Sequence, residues 1–316
     1  MWKEILLNSY YYATLPSRRS AATLRAANYS EPVQILFYHR VADDHPNDWT
    51  MSTRSFARQV RWLRTRFDIV SLSEAQARIT SGQNQRPTAC ITFDDGYADN
   101  RRSAIPLLLS HRIPFTYFVS TNHLLDGESF PHDVAAGHPL PVNTLTHLRE
   151  MAAAGVEIGA HTRSHANLGG DLSHDNLTEE IVGSKYELEK AIGRDIRYFA
   201  FPYGKHENLS AAAFRIAHEA GFNGVCSAYG GYNFPGDDAF HLRRFHADCE
   251  FIRFKNWLTI DPCKLRLQRD FEPGDYRGVN ENISRKGAKA QSKDQLAGVR
   301  ATSGSLCALA PLREKY

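Results

Sequence analysis

Residues 89–97 read ACITFDDGY: an uncharged run, Ala89–Phe93, that stops on Asp94-Asp95-Gly96. Small, β-branched and aromatic residues with no polar alternation make a strand buried on both faces. Gly96 supplies the freedom for a sharp turn where that strand ends. Neighbouring side chains of a strand point to opposite faces, but at a strand end turning into a loop both carboxylates can face one pocket. Similar runs recur along the chain at Val33–Tyr38, Phe115–Val119, Val156–Ala160, Tyr198–Phe201 and Gly224–Cys226. Helix-patterned segments lie between them. Ser55–Arg66 puts Phe56, Val60 and Leu63 on one face, Asn176–Ile192 keeps Ile181, Tyr186 and Leu188 near one stripe, and Leu209–Ala220 stops at Gly221. Strands alternating with helices predict an α/β fold, a parallel sheet covered by helices and closed in the manner of a barrel.

In such barrels the chemistry gathers where the strands run out. Val33–Tyr38 ends on His39, Ala89–Phe93 on Asp94-Asp95, Val156–Ala160 on His161-Thr-Arg-Ser-His165, and Tyr198–Phe201 on Pro202-Tyr203-Gly204. A parallel sheet brings all four ends to one rim. Two imidazoles and one carboxylate make an open three-ligand set with a position left for water. The second carboxylate can then take a proton from that water. Taken alone, H-x-x-x-H is a common surface pattern and Asp-Asp-Gly an ordinary turn; together, at strand ends, they point to a metal site.

Composition sets the outer limits. The 316 residues are 42% hydrophobic and 23% charged, which excludes a mainly disordered chain and a coiled coil. The net charge of +3 sits at the ends: residues 1–30 and 272–316 each carry +3 and the body −3, so nucleic acid is not an expected partner. Five cysteines without C-x-x-C spacing give no cysteine zinc site. Residues 1–30 read as an N-terminal arm or helix rather than a signal peptide, because Asn8, Ser9 and three tyrosines break the apolar stretch. A cytoplasmic or membrane-peripheral location is therefore expected; association with a membrane surface is permitted by Arg18, Arg19 and Arg25 but not indicated. Residues 31–271 form the expected catalytic domain, and 272–316 a disordered basic tail.

Three motifs carry a resemblance. Ile91-Thr-Phe-Asp-Asp-Gly-Tyr97, His161-Thr-Arg-Ser-His165 and Phe199-Ala-Phe-Pro-Tyr-Gly204 are similar, in order and spacing, to those of the polysaccharide deacetylases, the NodB-homology domain of carbohydrate esterase family four. The resemblance covers roughly residues 33–250. It implies a distorted (β/α) barrel that removes acetyl groups from N-acetylated sugars. It assigns Asp94 as base; Asp95, His161 and His165 as ligands of a divalent metal, zinc first, with cobalt, nickel or manganese as substitutes; and Tyr203, through its backbone N–H, as oxyanion donor next to Pro202. The implied partner is an N-acetylated polymer or glycoconjugate; the oligomeric state is not readable.

The chain departs from the family twice. The arginine that orients the base in many members is replaced by Ala200, leaving Arg197, Arg243 and Arg244 as candidates. No Leu-x-His motif follows residue 250; instead Ile35–Val41, with His39, resembles the permuted poly-N-acetylglucosamine deacetylases, which makes His39 the candidate acid. Trp49, Trp62 and Tyr232 are candidates for stacking on sugar, and the loop between Asn122 and Asn143 for shaping a groove. Alternative readings are an O-acetyl esterase, a glycolipid deacetylase, or a degenerate sugar-binding domain. A two-carboxylate glycosidase is excluded, since adjacent residues cannot flank a bond from opposite sides.

Overall fold

The computed structural model describes residues 2–277. Seven parallel strands close on themselves: β1 (Val33–Tyr38), β2 (Thr88–Phe93), β3 (Thr116–Val119), β4 (Glu157–Ala160), β5 (Tyr198–Ala200), β6 (Gly224–Ser227) and β7 (His241–His246). Each pairs with its neighbour in sequence, and β1 closes the ring by pairing with both β2 and β7. A two-residue strand, Asp68–Ile69, sits on the start of β2 and fills the gap beside it. The expected α/β barrel is therefore present, with one strand, β7, that the sequence pattern did not reveal. Its sequence, HLRRFH, has no apolar run.

The two faces of the strands bury different cores. Val33 and Ile35 of β1, Cys90 of β2, Phe118 of β3, Tyr198 and Ala200 of β5, Cys226 of β6 and Leu242 of β7 pack together inside the barrel. The helix Leu72–Thr80 plugs this lumen with Leu72, Ala75 and Ile79. The opposite faces, with Leu36, Ile91, Tyr117, Ile158, Phe199, Val225 and Phe245, pack under the outer helices. Burial on both sides is why β1 to β6 read as largely apolar runs.

The helix Thr53–Arg64 buries Phe56, Val60 and Leu63, the face its spacing predicts. Asn176–Ile192 is helical from His174 and passes through a π-helical turn at Glu179–Gly183. The N-terminal segment is a helix, Trp2–Ala27, held to the body by Arg18, which donates to the Asn256 side chain at 2.8 Å and to Thr259 at 3.0 Å. The loop between Asn122 and Asn143 is partly helical, at Thr121–Asp126 and Pro131–Ala135. The body does not end at residue 271: Tyr276 is buried, stacks on Phe240 at 5.1 Å and bonds to Asp238, as does Arg277. A single aromatic anchor inside a polar stretch leaves no periodic trace in the sequence. The rest of the expected tail, 278–316, lies outside the described residues.

His241, at the start of β7, is buried with its Nε2 2.9 Å from the Ser227 hydroxyl. Burial, then the charges of Arg243 and His206, hold it well below an ordinary histidine value. The unfolded chain takes up a proton at about pH 6.5 that the folded chain refuses, so acid destabilises the fold by up to ~1.4 kcal/mol per pH unit through this group. Urea midpoints measured at neutral and mildly acidic pH should therefore fall with acid, and H241Q should show a shallower fall than the wild type.

Candidate active site

The rim at the strand C-termini collects five of the expected residues. Asp94 and Asp95 follow β2, His161 and His165 follow β4, and His39 follows β1. Asp95 Oδ1 lies 3.5 Å from His161 Nε2 and 3.3 Å from His165 Nε2, and its Oδ2 lies 3.9 Å from His39 Nε2. One ligand atom each from Asp95, His161 and His165 falls within 4.8 Å of the others, and these three are the only such group among the described residues. Asp95 Oδ1 is buried without a hydrogen-bond partner there, although two imidazole nitrogens converge on it. A buried acceptor facing two nitrogen donors, all of ligand type, fits a divalent cation.

The imidazoles are aimed by their surroundings. His161 Nδ1 is 2.8 Å from the Ala200 carbonyl, which leaves Nε2 for the site. The loop that carries His165 is clamped by Glu180, whose carboxylate accepts from the Arg163 N–H at 2.9 Å, the Ser164 N–H at 3.0 Å and the Ser164 hydroxyl at 2.6 Å. Glu180 lies in the π-helical turn, a distortion often found beside functional sites. Its role is long-range, and no local spacing signals it. Phe130 packs edge-on against the His165 ring at 5.2 Å, so the rim insertion supports the site directly.

Asp94 continues the inward face of β2 and meets Arg244 of β7. The guanidinium donates to Oδ1 at 2.7 Å and Oδ2 at 2.9 Å, and also to Thr92 and the Ser227 carbonyl. It is fully buried between the rings of Phe37 and Phe118, 5.1 and 5.4 Å from their centroids. Burial disfavours the Asp94 carboxylate, but the charge of Arg244 outweighs it and holds the acid below its usual range. For Asp95 burial is likewise outweighed, by the imidazoles of His161, His165 and His39 that converge on it, and its pKa lies well below the ordinary value. Burial lowers His39 and His165. Two of the three candidate arginines do not reach Asp94. Arg243 points to the other face of β7 and pairs with Asp237 and Asp270, while Arg197 pairs with Glu157 at the opposite end of the barrel.

Backbone strain concentrates here. Asp95, Thr162, His165 and Tyr203 have φ of 69°, 61°, 61° and 61°. Non-glycine residues in that region cost about 1–3 kcal/mol each and cluster at functional sites. Tyr203 is 56% exposed, its ring 5.0 Å from that of His165, and its N–H has no hydrogen-bond partner among the described residues. The next residue must be glycine: Gly204 has φ +60°, and a Cβ would stand 2.6 Å from the Ala228 nitrogen. The His39 ring packs at a tilt on that of Trp49, centroids 4.6 Å apart. Trp62 and Tyr232 are not rim residues. Trp62 packs on Phe67 and Phe254, and Tyr232 is buried beside Phe245 and Trp257, so both serve the core.

Removing the guanidinium would strand a buried carboxylate. R244M should destabilise the fold by about 3–5 kcal/mol in chemical denaturation, and D94N in the same background should recover part of that loss.

Comparison with known proteins bears on the same residues. Residues 81–225 match the family model described as polysaccharide deacetylase. YxkH of Bacillus subtilis, named for that family, is 29% identical over 184 residues, 56% of this chain and 60% of its own length. The poly-beta-1,6-N-acetyl-D-glucosamine N-deacetylase of Staphylococcus aureus is 25% identical over 190 residues, 57% of this chain and 62% of its own. The chain thus spans less than two thirds of the length of either relative. The solved structure of IcaB from Ammonifex degensii has the same fold, with a TM-score of 0.61 at 24% identity, covering 72% of this chain and 97% of that one.

Proposed function

We propose, from the match of residues 81–225 to the polysaccharide deacetylase family model, that this chain is a metal-dependent hydrolase that removes acetyl groups from an N-acetylated sugar polymer or glycoconjugate. The observation that carries the reading is the division of labour between two adjacent acids. Asp94 is neutralised by Arg244, while Asp95 presents an unpartnered oxygen to His161 and His165.

In this reading Asp95, His161 and His165 hold the ion. Two imidazoles and one carboxylate suit zinc, with cobalt, nickel or manganese able to substitute. A divalent ion there supplies Lewis acidity, polarising the acetamide carbonyl and acidifying a water. Asp94 is the base that accepts the proton, and Arg244 is its positioning residue, fixing both oxygens. The N–H of Tyr203, held in a strained turn and without a hydrogen-bond partner among the described residues, donates to the oxygen that gains charge in the tetrahedral transition state. His39 delivers a proton to the departing amine. Pro202 and the exposed Tyr203 ring line the place where the sugar would lie. The catalytic domain is taken as residues 31–271, extended to Arg277 by the Tyr276 anchor.

The substrate class draws on the poly-N-acetylglucosamine named for the Staphylococcus aureus relative. Ala200 favoured the degenerate sugar-binding alternative, but the Arg244 contact removes that support, since the base retains an arginine partner.

The test is acetate release from a chito-oligosaccharide, after chelation and again after adding Zn²⁺ or Co²⁺. Release restored by metal is expected. Bound metal without release would point to an O-acetyl ester or glycolipid substrate, and loss of both to a binding domain. Within the active protein, D94N should abolish turnover and keep the metal, and H161A should lose both. H39A should slow turnover by ~10²-fold or more with the metal retained; a wild-type rate for H39A would remove His39 from the scheme.

A further inference from the structure

The helix Trp2–Ala27 turns two of its five charged residues, Arg18 and Arg25, toward the body, while Lys3, Glu4 and Arg19 stay exposed. Arg18 is 3% exposed and is used on Asn256, Thr259 and Asp261, and Arg25 pairs with Glu31 at 3.3 Å. Facing away from the body are Trp2, Ile5, Leu6, Tyr12 and Leu24, exposed by 76%, 48%, 53%, 60% and 61%. At 3.6 residues per turn these five share a sector of about 120°, and none of the helix's charged residues, Lys3, Glu4, Arg18, Arg19 and Arg25, falls within it. A surface helix of a globular domain turns its apolar stripe inward, so an uncharged outer sector carrying five large apolar side chains is unusual.

Beside this face lies a basic flank. The Lys255 ammonium stands 4.4 Å from the Tyr11 ring and 5.4 Å from the Tyr12 ring. Arg58 lies 3.9 Å over Phe251, a ring that Lys255 also approaches at 5.7 Å, and Arg66 lies 4.9 Å over Trp62. Arg19 and Arg66 both act on Tyr11 through their charge. Arg19, Arg58, Arg66 and Lys255 form no ion pair with a carboxylate among the described residues.

We propose that this helix is an in-plane anchor on an anionic bilayer. The Trp2, Ile5, Leu6 and Tyr12 face enters the boundary between headgroups and acyl chains, and Arg19, Arg58, Arg66 and Lys255 meet lipid phosphates. Trp and Tyr are residues of that boundary. No helix among the described residues is long and apolar enough to cross the membrane, so the contact lies in the plane. A second copy fits the same face poorly. A two-fold interface uses the same patch on both subunits, so it would set one basic flank near the other.

The test is co-sedimentation of the full chain with vesicles of phosphatidylcholine containing phosphatidylglycerol, and with phosphatidylcholine alone. Binding to the anionic vesicles, weakened by salt, is expected. The double variant I5Q/L6Q should lower partitioning by ~10-fold or more. R58Q/R66Q should weaken binding to the anionic vesicles only. All four side chains are exposed, so thermal melts of both variants should match the wild type, which separates lost docking from misfolding. Wild-type protein left in the supernatant with anionic vesicles would overturn the proposal, as would equal binding by I5Q/L6Q. A lipid-free dimer that I5Q/L6Q converts to monomer would assign the face to a second copy instead.

Discussion

The rim depends on one buried ion pair. Two carboxylates on consecutive residues, both removed from water, would repel, and one would hold its proton. Arg244 prevents this for Asp94 by meeting both oxygens from across the barrel, with its flat sides covered by Phe37 and Phe118. Bidentate geometry and full burial fix the direction of the Asp94 carboxylate and keep it ionised. Asp95 is then the only one of the two whose oxygen faces His161 and His165 without a hydrogen bond. The lumen is shaped for this pair: Ala200 and Cys226, neighbours in register on the inward face, are small, and the inward stack ends on Thr92, which also accepts from Arg244.

The strand ends hold this arrangement under strain. Four non-glycine residues of the rim sit at positive φ, and several kcal/mol of backbone preference are overridden there. The restraints are visible: Glu180 holds three groups of the His165 loop, Phe130 closes over the imidazole, and the Ala200 carbonyl turns His161. Each comes from a different part of the chain, so the site is rigid only when the barrel is closed.

Most of the barrel was legible because strands buried on both faces cannot hide among alternating polar residues; β1 and β2 appear in the sequence as uncharged, largely apolar runs. The candidate site residues stood out because polar chemistry directly after such a run is conspicuous. The strand β7 was not, since four of its six residues are His or Arg. For the same reason the choice between Arg243 and Arg244 could not be made from the sequence. It turns on which parity of β7 faces inward, and that is set by pairing with β1, more than two hundred residues away. Glu180 and Tyr276 act through single long-range contacts that leave no period or motif. The apolar outer sector of the N-terminal helix needs to be seen against the body, because the sequence alone does not say which side is covered.

The central claim is that adjacent acids have separate tasks, Asp95 on a metal and Asp94 on Arg244. An anomalous-difference map from crystals grown with zinc tests it most directly. The account predicts one peak bounded by Asp95, His161 and His165, with Asp94 still bonded to Arg244. A peak held by Asp94, or no peak among these residues, would contradict it.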